Sequence, residues 1–241
     1  MTETAYPGDD LRFRTDRWSN PFRVVLARLR ERLAVHLATV DLADGRLLDF
    51  GAADTPYRDL VPRSTEYLVA DLPGNPRADV VVTADGTIPD VPDGAVDVVL
   101  STQVLEHVAS PTIYLAECAR VMRPGGTLLL STHGIMPYHP VPTDFWRWTH
   151  DGLRRVVTQA GLEVVRMEGI MALLPASMQL FQEASKRRVP RRLRPAYVAA
   201  IQRTIDAVDR RQRDAARDRD ALVVMCVARR PGGDAAGTGA S

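Results

Sequence analysis

Asp49, Gly51, Ala53 and Asp71 stand where a nucleoside pocket would need them. In Arg46-Leu-Leu-Asp-Phe-Gly-Ala-Ala-Asp-Thr-Pro-Tyr57 an apolar strand runs into a tight loop of small residues, and Tyr67-Leu-Val-Ala-Asp71 is a second strand ending in a carboxylate. In an open α/β sheet, small residues after the first strand let a ligand approach the backbone, and an acid ending the second can accept both ribose hydroxyls. Asp85, in Val82-Thr-Ala-Asp-Gly86 after a third strand, can accept from an exocyclic amine, which suits adenine. Three histidines, His107, His133 and His139, titrate near neutrality and are the candidate bases. His107 lies in the turn that leaves a fourth strand; His133 and His139 lie in Thr132-His-Gly-Ile-Met-Pro-Tyr-His-Pro-Val-Pro-Thr-Asp-Phe-Trp-Arg-Trp-Thr149 after a fifth. The prolines and aromatics of that segment suit an acceptor wall or lid. Asp144, Trp146 and Arg147 are its candidate acceptor contacts. The plainer reading makes Phe145, Trp146 and Trp148 hydrophobic anchors and pairs Arg147 with Asp144.

The elements that must position these residues alternate between strands and helices, the pattern of a mostly parallel sheet. Strands are expected at Leu47–Phe50, Tyr67–Ala70, Val80–Thr83, Val96–Leu100, Thr127–Ser131, Leu162–Glu168 and Leu222–Ala228, with the clearest helices from Pro111 to Met122 and from Asp151 to Ala160. Asp54 and Thr55 ahead of Pro56 read as the cap and N1 of the first sheet helix. Asn20-Pro21 is a similar start for an N-terminal helix, with Phe22, Leu26, Leu29, Leu33, Leu37 and Val40 on one stripe. Pro124-Gly-Gly ends a helix and turns into the fifth strand. After Glu168 an apolar segment (Ile170 to Phe181), the basic run Lys186-Arg-Arg-Val-Pro-Arg-Arg-Leu-Arg194 and a further amphipathic stretch read as a helical insertion, about 172–219, before the last strand. A single domain over 1–230 is expected, with a helical extension at 1–45 and a disordered tail at 231–241.

The chain has 241 residues, 45% hydrophobic and 25% charged, with a formal net charge of +1, so no basic excess points to nucleic acid. Cys118 and Cys226 sit in apolar patterns and read as core thiols in a reducing compartment. The polar, acidic N-terminus is not a secretory signal, and no apolar run nears the roughly twenty residues that span a bilayer. A cytoplasmic protein is expected, without nucleic-acid or membrane contact, and a homodimer is compatible with the composition. The basic run reads first as a solvated surface. An electropositive rim for an acidic acceptor, or a contact with a membrane-bound lipid carrier through the neighbouring apolar segment, are its other readings.

The Asp-x-Gly loop with small residues, the acid ending strand two, Val104-Leu-Glu-His-Val108 after strand four and Arg123-Pro-Gly-Gly126 before strand five together resemble class I S-adenosylmethionine-dependent methyltransferases of the small-molecule type. The resemblance covers roughly Leu47 to Glu168. It implies a Rossmann-like, seven-stranded, mostly parallel sheet with helices on both faces and an antiparallel last strand, and methyl transfer from S-adenosyl-L-methionine. By the same resemblance Gly51 and Ala53 face the methionine part, Asp71 and Leu72 the ribose and adenine, Asp85 and Gly86 the adenine, while Ser101 and Gln103 border the amino-acid end. Asp49 adds negative charge beneath the loop. A carboxylate beside a helix start opposes a pyrophosphate but tolerates a sulfonium, which disfavours a dinucleotide. The family's loop usually has a glycine where Ala53 stands, and often another at Thr55. Gln103-Val-Leu-Glu106-His107 is similar to the E-x-x-E-H metal motif of ubiquinone-pathway and small-RNA 2′-O-methyltransferases, but Gln103 replaces its first carboxylate, so no metal is expected.

A methyltransferase acting on a small-molecule acceptor is thus expected, with O-methylation in specialised-metabolite or sugar and glycan biosynthesis the leading form. The alternatives are a non-catalytic binding or scaffold subunit that keeps the fold, which the missing loop glycines motivate, and a methyltransferase acting on protein or RNA.

Overall fold

The computed structural model describes residues 15–232. Its centre is a seven-stranded sheet in the order β3-β2-β1-β4-β5-β7-β6. The strands are β1 (Arg46–Phe50), β2 (Glu66–Asp71), β3 (Val80–Val81), β4 (Val96–Thr102), β5 (Met122–His133), β6 (Glu163–Ala172) and β7 (Ala221–Arg229). β1, β2, β3, β4 and β5 pair in parallel, and β7 runs antiparallel between β5 and β6.

Side chains that alternate along the strands fill two cores. Leu48, Phe50, Val99, Leu128 and Leu130 pack with Leu115, Cys118 and Val121 of α2 (Pro111–Val121) and Leu153 and Val157 of α3 (His150–Gln159). Leu47, Val98, Leu100 and Leu129 pack on the other face with Val25, Leu29 and Leu33 of α1 (Arg23–Leu37), Ala176 of α4 (Leu173–Ser185) and Ile205 of α5 (Arg194–Asp209). The helical insertion is thus α4, α5 and the single turn α6 (Asp214–Arg217), between β6 and β7. It is tied to α1 by three buried glutamines. The amides of Gln179, Gln182 and Gln202 all donate to the Pro21 carbonyl, at 2.7, 2.8 and 2.9 Å, while Gln202 Oε1 accepts the Val24 N–H at 3.0 Å.

Four local expectations change. No α-helix starts at Pro56: the segment makes only a 3₁₀ turn, Arg58–Leu60. Thr55 sits at φ 55°, outside the right-handed helical region, and Pro62 has no N–H to continue an α-helical ladder. The third strand stops at Val81, because the backbone of Thr83 is taken by a turn with Thr87. β6 runs on through Ile170 to Ala172, into the segment read as the start of the insertion. The helix expected from Asn20 starts at Arg23, with Asn20 Oδ1 accepting the Phe22 N–H at 2.9 Å. Residues 1–14 of the N-terminal extension and 233–241 of the tail lie outside the described residues. No helix among the described residues is long and apolar enough to cross a membrane.

Candidate active site

The carboxyl ends of β1, β2, β4 and β5 bring most of the candidate residues together in two adjoining groups. The first surrounds the loop after β1. Gly51 has φ 82°, and a Cβ there would lie 2.5 Å from Val104 Cγ2, so only glycine fits. Ala53 (φ 48°) and Thr55 (φ 55°) hold the left-handed conformation that glycine adopts freely and that costs other residues about 1–2 kcal/mol each. Asp71 holds the loop in that shape. Its Oδ2 accepts the Ala53 N–H at 2.8 Å and the Asn75 amide at 2.7 Å, and its Oδ1 accepts the Leu72 N–H at 2.7 Å. Asn75 also donates to the Ala53 carbonyl at 2.9 Å, and Arg77 pairs with Asp54. The segment after β2 therefore clasps the loop after β1 at three points.

An ionised carboxylate offers about four acceptor positions, and three on Asp71 are taken. One ribose hydroxyl, not two, can be accepted without breaking a loop bond. Asp49 is buried beneath the loop and accepts the Tyr67 hydroxyl. Leu72 is exposed beside Asp71. Asp85 is exposed in its turn before Gly86, with Oδ1 engaged by Thr87 Oγ1 at 2.9 Å; the hydrogen bonds from Thr83 and Thr87 lower its pKa. Ser101 is turned into the core, against the Tyr114 hydroxyl at 2.8 Å. Gln103 has φ 58° and bridges to β5 through the Ser131 carbonyl (2.8 Å) and Oγ (3.1 Å), so its backbone strain is held at the site's edge.

The second group is a triangle of imidazoles. Ring centroids of His107 and His133 are 6.2 Å apart, those of His107 and His139 5.7 Å, and those of His133 and His139 6.2 Å. At its base lies Glu106, fully buried, with Oε2 accepting the Thr132 hydroxyl at 2.9 Å and Oε1 3.1 Å from His133 Nε2 and 4.0 Å from His107 Nε2. Burial pushes Glu106 up to about 7 and His133 down to about 3. Their separation would suit an ion pair, but desolvation disfavours the charged form of each, and at neutral pH His133 is uncharged. Burial also lowers His107. The His107 Nδ1–H donates to the Thr143 carbonyl, which leaves Nε2 as the nitrogen with a lone pair.

The segment 134–149 closes over this group because Glu106 and its neighbours anchor it. The Glu106 carbonyl accepts the N–H groups of Phe145 and Trp146, Trp146 Nε1 donates to the Val108 carbonyl at 2.8 Å, and the Trp148 N–H donates to the His133 carbonyl at 2.9 Å. Arg147 is the organiser of the segment. Its guanidinium grips both oxygens of Asp144 and donates to the carbonyls of Met136, Pro137 and Trp146, so all five of its donors are used inside the segment. These bonds from Arg147 bring Asp144 down to about 2.

Glu106 and Asn75 escaped the sequence reading as site-builders. Glu106 stood there only as part of a degenerate metal motif, and Asn75, between Gly74 and Pro76, has the signature of an ordinary turn residue. Among the described residues no group of three His, Cys, Asp or Glu is disposed to hold a metal ion. Two surface depressions, of about 550 and 370 Å³, include none of the candidate residues.

Comparison with known proteins places the chain in a family. Residues 18–166 match the model of a methyltransferase domain, and the chain belongs to that family. It is 40% identical over 125 residues to a Mycolicibacterium smegmatis protein named "Probable S-adenosylmethionine-dependent methyltransferase", covering 51% of this chain and 48% of that one. It is 30% identical over 174 residues to the ubiquinone biosynthesis O-methyltransferase of Xanthomonas oryzae pv. oryzae, covering 64% and 62%. The chain therefore spans less than two-thirds of either relative. Its fold is similar to Haemonchus contortus phospholethanolamine N-methyltransferase 2, solved with phosphomonomethylethanolamine and S-adenosylhomocysteine, at a TM-score of 0.53 and 11% identity over 83% of this chain and 52% of that one.

Proposed function

We propose that this member of the methyltransferase-domain family transfers a methyl group from S-adenosyl-L-methionine to a small-molecule acceptor, with an acceptor oxygen as the leading target. The donor, when bound, supplies an electrophilic methyl on a sulfonium. The residues that would hold it are Gly51, Ala53, Asp71, Leu72, Asp85, Gly86 and Gln103. Gly51 suits this role because it carries no side chain at the turn, Asp71 because Oδ1 keeps an acceptor position, and Asp49 and Asp71 because their negative charge favours a cationic ligand.

The single observation that carries the proposal is the triangle of His107, His133 and His139, with Glu106 against His133, beside the clasped loop. Methyl transfer is an in-line displacement, so holding the acceptor in place supplies much of the acceleration. Phe145 and Trp146 line the wall, and Arg147 and Asp144 fix its shape. Deprotonating an acceptor hydroxyl is the work for a base. His107 fits best. Its tautomer is set by Thr143, and its lowered pKa keeps it neutral at pH 7. His133 would serve to hold Glu106, and His139 to border the acceptor.

Calorimetric titration of the purified chain with S-adenosylmethionine and S-adenosylhomocysteine tests the reading. Saturable one-site binding is expected. A folded protein that binds neither would favour the scaffold reading, for which the two strained non-glycine positions, Ala53 and Thr55, are the motivating observation.

A further inference from the structure

The buried side of helix α4 is small or polar, and three of its bulky apolar groups face out. Its buried side carries Gln179 and Gln182, while Leu173, Leu174 and Phe181, on one stripe with Ser177, face solvent at 51%, 57% and 64% exposure. Glutamines cost free energy to bury and are held here by the Pro21 carbonyl, by Gln202 and, for Gln182, by Glu183, whereas large apolar groups of the same helix are outside. An apolar stripe of this kind on an otherwise ordinary surface marks a partner. Beside it, Met178, Phe181, Ile201, Ser177 and Thr204 line a depression of about 370 Å³.

The chain that follows is strongly cationic. Lys186 is neutralised by Glu183 at 2.5 Å, but Arg187, Arg188, Arg191 and Arg192 have no carboxylate partner among the described residues, and Leu193 beside them is 51% exposed. Several arginines elsewhere in the fold are neutralised by carboxylates. Those around the 550 Å³ depression show this: Arg28 pairs with Asp206, Asp209 and Glu31, and Arg217 with Asp209 and Asp214. Unneutralised arginines next to exposed Leu and Phe are the combination that binds an anionic lipid surface, with lipid phosphates meeting the guanidinium groups and acyl chains meeting the apolar side chains. A second copy docked face to face would set these arginines against their own images. A nucleic acid would leave the leucines without a partner.

We infer that the outer face of α4 and the arginine run at 187–192 form a docking surface for an anionic lipid bilayer, a contact the net charge of +1 conceals. The first turn of α4, with Leu173 and Leu174, lies at the same end of the sheet as the candidate site, because Val223 pairs with both His133 and Ile170, and α4 begins just beyond Ile170. The inference does not depend on the methyl-transfer reading.

Flotation of the full chain with phosphatidylcholine vesicles, with and without phosphatidylglycerol, tests it. Binding to the anionic vesicles alone is expected. It should weaken about five-fold for each of Arg187, Arg188, Arg191 and Arg192 changed to Ser, and about ten-fold or more in the L174S/F181S double variant. Circular dichroism checks that the variants are folded, and the wild-type comparison between the two vesicle types needs no variant. No flotation with anionic vesicles overturns the inference. So does flotation that the arginine changes abolish and the L174S/F181S change leaves intact, which would mark a general polyanion surface, and so does a dimer in solution that L174S/F181S dissociates.

Discussion

Glu106 Oε1 stands 3.1 Å from His133 Nε2 inside the protein, and burial drives both groups toward their neutral forms. The two titrations have opposite effects on stability. Folded Glu106 keeps a proton up to about pH 7 that the unfolded chain loses near 4.5, so its contribution falls as pH rises between those values. Folded His133 refuses, down to about pH 3, a proton that the unfolded chain takes near 6.5, so its contribution rises with pH over that interval. Between 4.5 and 6.5 the slopes cancel. Glu106→Gln removes one of them. The stability of the variant relative to the wild type is then expected to rise by about 1.4 kcal/mol per pH unit across that window. Urea denaturation at stepped pH measures it, and a flat difference would mean that Glu106 does not hold its proton in the folded protein.

Asp71 cannot be read as a ligand contact alone. Asp71→Ala leaves the Ala53 and Leu72 N–H groups and the Asn75 amide without their acceptor, so a stability loss of about 2–3 kcal/mol should accompany weaker nucleoside binding. Thermal melts beside calorimetry separate the two effects, and an unchanged melting temperature would refute the clasp.

Asn75→Ala removes the second point of the same clasp and one donor to Asp71, while leaving the carboxylate and its bond to the Ala53 N–H in place. We expect about ten-fold weaker binding of S-adenosylhomocysteine, restored in part by adding Ala53→Gly, because glycine needs no help to hold φ 48°. Normal binding by Asn75→Ala would count against a role for Asn75 in shaping the loop.

Arg147→Lys keeps the charge and loses the five-donor fork. The wall should loosen while the nucleoside end is unaffected. Limited proteolysis within 134–149 should accelerate several-fold, with S-adenosylhomocysteine affinity unchanged; a protease-resistant variant would show that the aromatics hold the wall without it.

His107→Gln, once an acceptor is identified, should lower kcat by about 10²-fold or more while nucleoside affinity stays the same. Full turnover would remove His107 as the base.

Much of this arrangement is legible in the residues. Short apolar runs mark the strands, and Asp71, His107 and His133 fall at or just past strand ends that a parallel sheet places side by side, with His139 in the segment that follows. What the sequence hides depends on long-range partners. Ala53 and Thr55 look wrong for left-handed backbone until Asp71 and Asn75 are seen gripping the loop. Arg147 looks available until its carbonyl partners at Met136 and Pro137 come into view. Glu106, in a run otherwise read for its histidine, becomes the floor of the site only because β5 brings Thr132 and His133 against it. The helix expected at Pro56 fails for the opposite reason: two prolines and a left-handed threonine decide that segment locally, against the habit of the fold.

The three glutamines that meet on the Pro21 carbonyl bear on how such a chain can change. They join the first helix to an insertion that begins some 150 residues later. Neither piece can be exchanged alone without stranding buried amides. Any graft of the insertion onto a related scaffold, by recombination or by design, must carry the opening helix with it, so the two behave as one inherited module split across the ends of the sequence.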